Sequence, residues 1–136
     1  MRVKSTLDST DAAEICSKCE TEAISSGASV SIAIFDESAA LLRFVRMDGA
    51  RAHTIDLAMR KARSAAAVGV STRLIDERIR AGNVTNVEAI GWGGVPIQIG
   101  RECVGAIAIS GSSPELDDKI AVQAAAAFSR ESDVTD

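Results

Sequence analysis

The chain is 136 residues long, 46% hydrophobic and 25% charged, which suits one globular core that needs no disulfide or structural metal to fold. Fifteen Lys and Arg against nineteen Asp and Glu leave a formal charge of -4, and aromatic residues make up only 3% with no Tyr. A phosphate-tracking or base-stacking surface is therefore excluded as the main activity, and no nucleic-acid partner is expected.

The opening stretch, MRVKSTLDSTDAAE, gains acidic residues at once and does not resemble a secretory signal, so a cytoplasmic location is the expectation. From Asp8 to Ser25 the small or apolar residues Ala12, Ile15, Cys16, Cys19 and Ala23 recur at helical spacing, and Gly27 is placed to end that helix. Val30, Ile32 and Ile34 then alternate with small residues, and a second apolar stretch runs from Ala40 to Val45, which predicts a hairpin. Met47-Asp48-Gly49-Ala50 is turn chemistry. Helical spacing returns near Thr54 with Ala58, Ala62, Ala65 and Ala66, Gly69 interrupts it, and Ser71 or Thr72 can cap a short helix through Arg80. An irregular loop is expected from Asn83 to Gly91. Val95–Ile99 and Cys103–Ser110 read as a second hairpin whose latter strand, apolar on both faces, is expected to be central. That run is also the most apolar in the chain and far short of the ~20 residues of a membrane helix, so no membrane partner is expected. Asp117 and Asp118 open an alanine-rich helix to about Ser129, and Arg130 to Asp136 reads as a frayed end. The order αββααββα with short connections predicts an α+β fold in one domain, 1–136, with its core at about 8–128.

Few residues carry obvious chemistry. Cys16 and Cys19 form a C-x-x-C inside a helix rather than at a strand-to-helix junction, and with Cys103 they read as reduced thiols that pack as small hydrophobes. His53 is the only histidine, so any chemistry needing imidazole near neutral pH must use it, although a lone histidine is more often a helix-end or surface residue. Gly91, Gly93 and Gly94 around Trp92 precede a strand rather than a helix, which argues against a phosphate loop. They read as backbone passing close to a neighbouring element or a ligand. Arg46, Asp48 and Lys61 gather charge near the hairpin end, by default on a solvated face.

Four strings in order, RMDGA (46–50), KARSAAA (61–67), GGVPI (93–97) and VGAIAISG (104–111) followed by Asp117-Asp118, resemble the GlcG/HbpS family. That family also includes the C-terminal domain of PduO-type corrinoid adenosyltransferases. The resemblance runs from about Asp8 to Phe128. It implies a profilin-like α+β domain with an antiparallel sheet, assembly into homo-oligomers, and an association with haem binding or degradation. At DGARAHT this chain resembles the haem-sensing members, which places His53 as a candidate iron ligand. Their Pro-Thr pair corresponds to Ser71-Thr72, which makes Thr72 a second candidate for iron although the proline is missing. The family favours a D-x-x-G turn where this chain has Asp36-Glu37-Ser38-Ala39, and Ala39 is expected to avoid the positive φ that glycine permits.

Two active readings and one bland one follow. In the first, the protein is a small-molecule-binding accessory protein of the GlcG/HbpS type, with haem as the candidate cofactor. His53 or Thr72 then contacts iron, and Arg46 or Lys61 pairs with a propionate. In the second it is a cofactor-independent isomerase, lyase or hydrolase acting on a small carboxylated metabolite, with Arg46 and Lys61 as anchors and His53 or Asp48 moving a proton. Both put the site around Asp48, Gly49, His53, Lys61, Gly93 and Gly94. The bland reading is a structural homo-oligomer whose alanine-rich helices meet between subunits.

Overall fold

A computed structural model of the chain describes residues 6–82 and 90–134. The elements are α1 (Ser9–Ser25), β1 (Ser31–Asp36), β2 (Leu41–Arg46), α2 (His53–Val68), α3 (Thr72–Arg80), β3 (Gly94–Ile99), β4 (Glu102–Ser110) and α4 (Pro114–Val134), in the order the sequence predicts. They form one α+β domain. Of the loop expected from Asn83 to Gly91, residues 83–89 lie outside the described part. Among the described residues no helix is long and apolar enough to cross a membrane.

The helix ends follow local chemistry. Asp8 caps α1 by accepting the Asp11 N–H while the Asp11 side chain accepts the Asp8 N–H, a reciprocal box that satisfies two otherwise orphaned donors. Of the two candidate caps of α3, Ser71 takes the role by accepting the Leu74 N–H at 3.2 Å, which leaves Thr72 free to turn inward. The last helix is longer than its sequence signal. It begins at Pro114, with Ser113 accepting the Leu116 N–H, because proline at the first helical position loses no hydrogen bond. It runs to Val134 rather than fraying after Ser129, and an ion pair from Lys18 on α1 to Glu131 ties its far end down.

The strands form one antiparallel sheet in the order β2-β1-β4-β3, so β4 is an inner strand as its apolar faces require. One face is covered by α1 and α4, the other by α2. Side-chain size sorts the two faces. Ile32, Ile34, Ile107 and Ile109 point towards α1 and α4, whereas Ala33, Ala106 and Ala108, with Phe35, meet Ala58, Ala62 and Ala65 of α2. Small residues on both partners let α2 lie close to the sheet, and dispersion contacts accumulate over the whole face. Near the β3–β4 turn the ladder slips: Ile97 faces Gly105 but Gln98 faces Cys103, leaving Val104 as the extra residue of a bulge. The slip lets Val104 share the Ile107 face despite its odd separation.

Two expectations change here. The alanine stripes of α2 and α4 serve mainly the chain's own core, with Ala62, Ala65, Ala121, Ala124 and Ala125 all buried, while Ala67 is exposed and Ala126 and Ala127 are half-buried. Ala39 does adopt a positive φ, +60°, because the Asp36 carboxylate accepts the N–H groups of Ser38 and Ala40 and closes a tight turn. An L-residue there carries ~1–2 kcal/mol of strain, offset in the glycine variant by ~0.5–1 kcal/mol of lost chain freedom. Ala39→Gly should therefore raise stability by about 0.5–1 kcal/mol, read as an increased urea midpoint with an unchanged slope.

Candidate functional site

The first helix disposes of its cysteines. Cys16 and Cys19 are buried against the sheet, and burial, aided by neighbouring Glu20, pushes the Cys16 thiol up to about 11; burial raises that of Cys19 as well. Neither is a nucleophile or metal ligand in this state. Among the described residues, no three His, Cys, Asp or Glu side chains are arranged to hold a metal ion.

The chemistry gathers at the opposite end of the sheet. A cleft of about 370 Å³ opens between the start of α2, the end of β4 and the start of α4, with the Gly91–Trp92 segment as one wall. A larger depression of about 850 Å³ runs between α1 and α4, but it is lined by surface side chains such as Glu14, Lys18 and Arg130. Volume does not decide between them. The smaller cleft contains the buried charges, and convergent polar groups in a concave setting mark ligand sites more reliably than size.

Of the residues expected at the site, Gly49, His53 and Lys61 line this cleft. His53 is exposed at the first turn of α2. Arg51 stands beside it, and Leu57, Ile90 and Trp92 give the cleft apolar wall. Asp48 instead borders a separate depression with Glu20 and Met47, and Arg46 ends β2 as an exposed residue. Thr72 is fully buried and accepts the Gly94 N–H at 3.0 Å, so its hydroxyl is engaged in fixing β3. Gly93 and Gly94 are buried too. A Cβ on Gly94 would fall 2.6 Å from the Lys61 carbonyl oxygen and one on Gly93 2.4 Å from the Ile109 carbonyl oxygen, so the close neighbours that these glycines admit are α2 and β4 and not an open space.

Lys61 departs furthest from expectation. Its place in the Thr54, Ala58, Lys61, Ala65 stripe turns it towards the sheet instead of solvent, and it is only 5% exposed. Its Nζ donates to the Ile109 carbonyl at 3.1 Å and stands 4.0 Å from Asp117 Oδ2. Asp117 also accepts the Ser112 N–H at 3.1 Å. Burial lowers the ammonium's pKa against the pull of Asp117 and Asp76, and burial raises the Asp117 carboxyl against the pull of Lys61. In both groups desolvation outweighs the partner. Beside this pair, Arg73 lies 3.6 Å from Asp118 and 4.5 Å over the Trp92 ring, so it fixes the indole that walls the cleft.

Asp117 and Asp118 carry raised pKa values, burial being the main cause, and this sets a pH dependence. Between the unfolded carboxyl value of 3.8 and the raised folded ones, the folded state holds more protons than the unfolded state. Their contribution is thus fully present below 3.8 and is lost as pH rises through the folded values. In urea titrations between pH 4 and pH 7, wild type should gain stability relative to Asp117→Asn as the pH falls; a difference that is flat with pH refutes this.

The sequence as a whole matches the family model described as haem degrading protein HbpS-like over residues 7–126. The chain belongs to the HbpS-like family. Solved structures agree: it superposes on Klebsiella pneumoniae ORFY with a TM-score of 0.82 at 25% identity, covering 95% of this chain and 97% of that one. A double mutant of Streptomyces reticuli HbpS gives a TM-score of 0.81 at 26% identity over 93% of this chain and 90% of the other. The PduOC:haem complex shares the fold, with a TM-score of 0.82 at 24% identity over 90% of this chain and 95% of that one. No curated protein matches this sequence.

Within this HbpS-like chain, sequence reasoning missed Arg51, Trp92 and Asp117 as parts of the site. Arg51 lies inside the DGARAHT string and Asp117 inside a quoted motif, so the family strings held the signal. Asp117 was masked by its second role, since an acid in the first turn of a helix is already accounted for by the helix dipole.

Proposed function

We propose that this protein binds a small anionic molecule, with haem the leading candidate, in the cleft at the start of α2. The observation that carries the reading is the meeting of one imidazole, His53, with one guanidinium, Arg51, at the mouth of a cleft of about 370 Å³ in an HbpS-like chain. Pockets of ~300–1,000 Å³ are the usual size for small-molecule sites.

The donor set fits haem. His53 would supply a nitrogen to iron, Arg51 a paired set of N–H donors to a propionate, and Leu57, Ile90 and Trp92 apolar contact for the macrocycle. When bound, haem would bring the iron-centred chemistry that this set of side chains lacks. The chain's own contribution is to bind and orient. Lys61, neutralised by Asp117 and bonded to Ile109, holds the floor together, and Thr72 positions Gly94 instead of reaching a ligand. Arg46 and Asp48 lie outside this set. Family membership favours a haem-related binding role over the cofactor-independent enzyme.

Haem titration followed by absorbance tests the reading. Wild type should bind with a defined Soret band, and His53→Ala should weaken affinity by ~10–100-fold or move the band, with the fold unchanged because the residue is exposed. Equal affinity and an identical spectrum would remove His53 as a ligand. No binding by wild type would remove haem.

A further inference from the structure

One buried acid has no partner among the described residues. Asp76, in the middle of α3, is 4% exposed, and its Oδ1 is closed off from solvent with no hydrogen bond. The acids near it each have a direct basic partner, Asp117 in Lys61 with the Ser112 N–H besides and Asp118 in Arg73 at its Oδ2, although Asp118 Oδ1 is likewise buried without a hydrogen bond. Lys61, whose charge Asp76 also feels, is already engaged by Asp117 and the Ile109 carbonyl. Three buried acids thus share two basic side chains, and Asp76 is the one without a direct pair. A carboxylate taken from water without compensation is among the costliest groups a fold can bury.

Asp76 lines a chamber of about 240 Å³ together with Arg80, Gly91, Trp92, Pro114 and Glu115. The chamber shares Gly91, Trp92 and Pro114 with the cleft but none of its basic groups. Two carboxylates and an indole make a wall that suits a cation. Arg80 is exposed, on the rim.

We propose that this chamber is a second site that binds a small primary ammonium ion, its N–H groups directed to Asp76 and its charge balanced by Asp76 and Glu115 beside Trp92. The volume restricts the ligand to a small ion of roughly eight heavy atoms or fewer, since a single water occupies ~30 Å³ of liquid. A quaternary ammonium carries no N–H and cannot meet the need of the Asp76 carboxylate. The site uses neither His53 nor Arg51, and it meets the cleft only at the shared Gly91, Trp92 and Pro114.

Trp92 is the only tryptophan and the chain has no tyrosine, so intrinsic fluorescence reports on the wall that the chamber shares with the cleft, and the Asp76, Glu115 and Arg80 variants assign a response to the chamber. The intact protein is titrated with ethylammonium chloride, with sodium chloride and tetramethylammonium chloride as controls at equal ionic strength. Ethylammonium should give a saturable change in emission that neither control produces. Asp76→Asn should weaken it by at least ~10-fold, the scale of a hydrogen bond to a charged group. Should Asp76→Asn fail to fold, the exposed positions decide: Glu115→Gln should weaken binding a few-fold, and Arg80→Gln, which removes a competing cation, should tighten it. A response shared by the controls, or affinities unmoved by these variants, overturns the proposal. Haem titration of the same samples reads the other site, so failure of either reading is seen separately.

Discussion

Lys61→Met should destabilise the protein by about 3–5 kcal/mol, the range for removing one partner of a buried ion pair and leaving the other charge uncompensated. The substitution keeps the aliphatic stem that packs along α2 but deletes the donor to Ile109 and the cation 4.0 Å from Asp117. Asp117 would then sit buried with only backbone donors. Much of the cost should return in the double variant Lys61→Met with Asp117→Asn, because the stranded charge goes too. Urea unfolding of the four proteins closes a double-mutant cycle, and the two contacting residues should show a coupling well above the ~0.5 kcal/mol typical of independent sites. Additive losses would mean that the pair does not act as a unit. Burial moves both groups towards their neutral forms, and each opposes that shift in the other, with help from Asp76 on Lys61 and from the Ser112 N–H on Asp117.

Gly93→Ala should cost about 3 kcal/mol or more. The new Cβ would lie 2.4 Å from the Ile109 carbonyl oxygen and 3.2 Å from the Asp117 Cβ, at a φ of +116°. The backbone strain alone is worth ~1–2 kcal/mol and the overpacking a further ~1–3 kcal/mol. Gly27→Ala separates the two terms. Gly27 has a φ of +71° and open space around its missing Cβ, so only the strain should be felt there. If both variants lose the same stability in urea titrations, the contact with Ile109 contributes nothing. Because Ile109 O is also the acceptor for Lys61, pushing that carbonyl aside should loosen the floor of the cleft as well as the fold.

The element order was legible in the sequence because each element carries its own period and punctuation. Asp8 and Gly27 bracket α1, Ser71 opens α3, and apolar residues on both faces mark β4 as an inner strand. The ordered strings also made the family legible, and two of the residues they named, Gly49 and His53, line the candidate cleft. These are local signals, readable one residue after another. The fates of individual polar residues were not local. Lys61 and Thr72 fall on helix faces whose direction is set only when α2 packs on the sheet and Gly94 closes against both. Asp117 reads as a helix-start acid until the fold carries Lys61 beneath it, and Asp76 is left without a direct partner among the described residues only once the neighbouring basic groups are taken. Ala39 shows the converse, where the Asp36 turn imposes a backbone conformation that the residue itself disfavours. Sequence by itself determined the periodicities, the caps and the family, because these depend on neighbours along the chain. Only the tertiary structure decided which charges are buried, which are paired and which face a cavity, because desolvation depends on everything that surrounds a group in space.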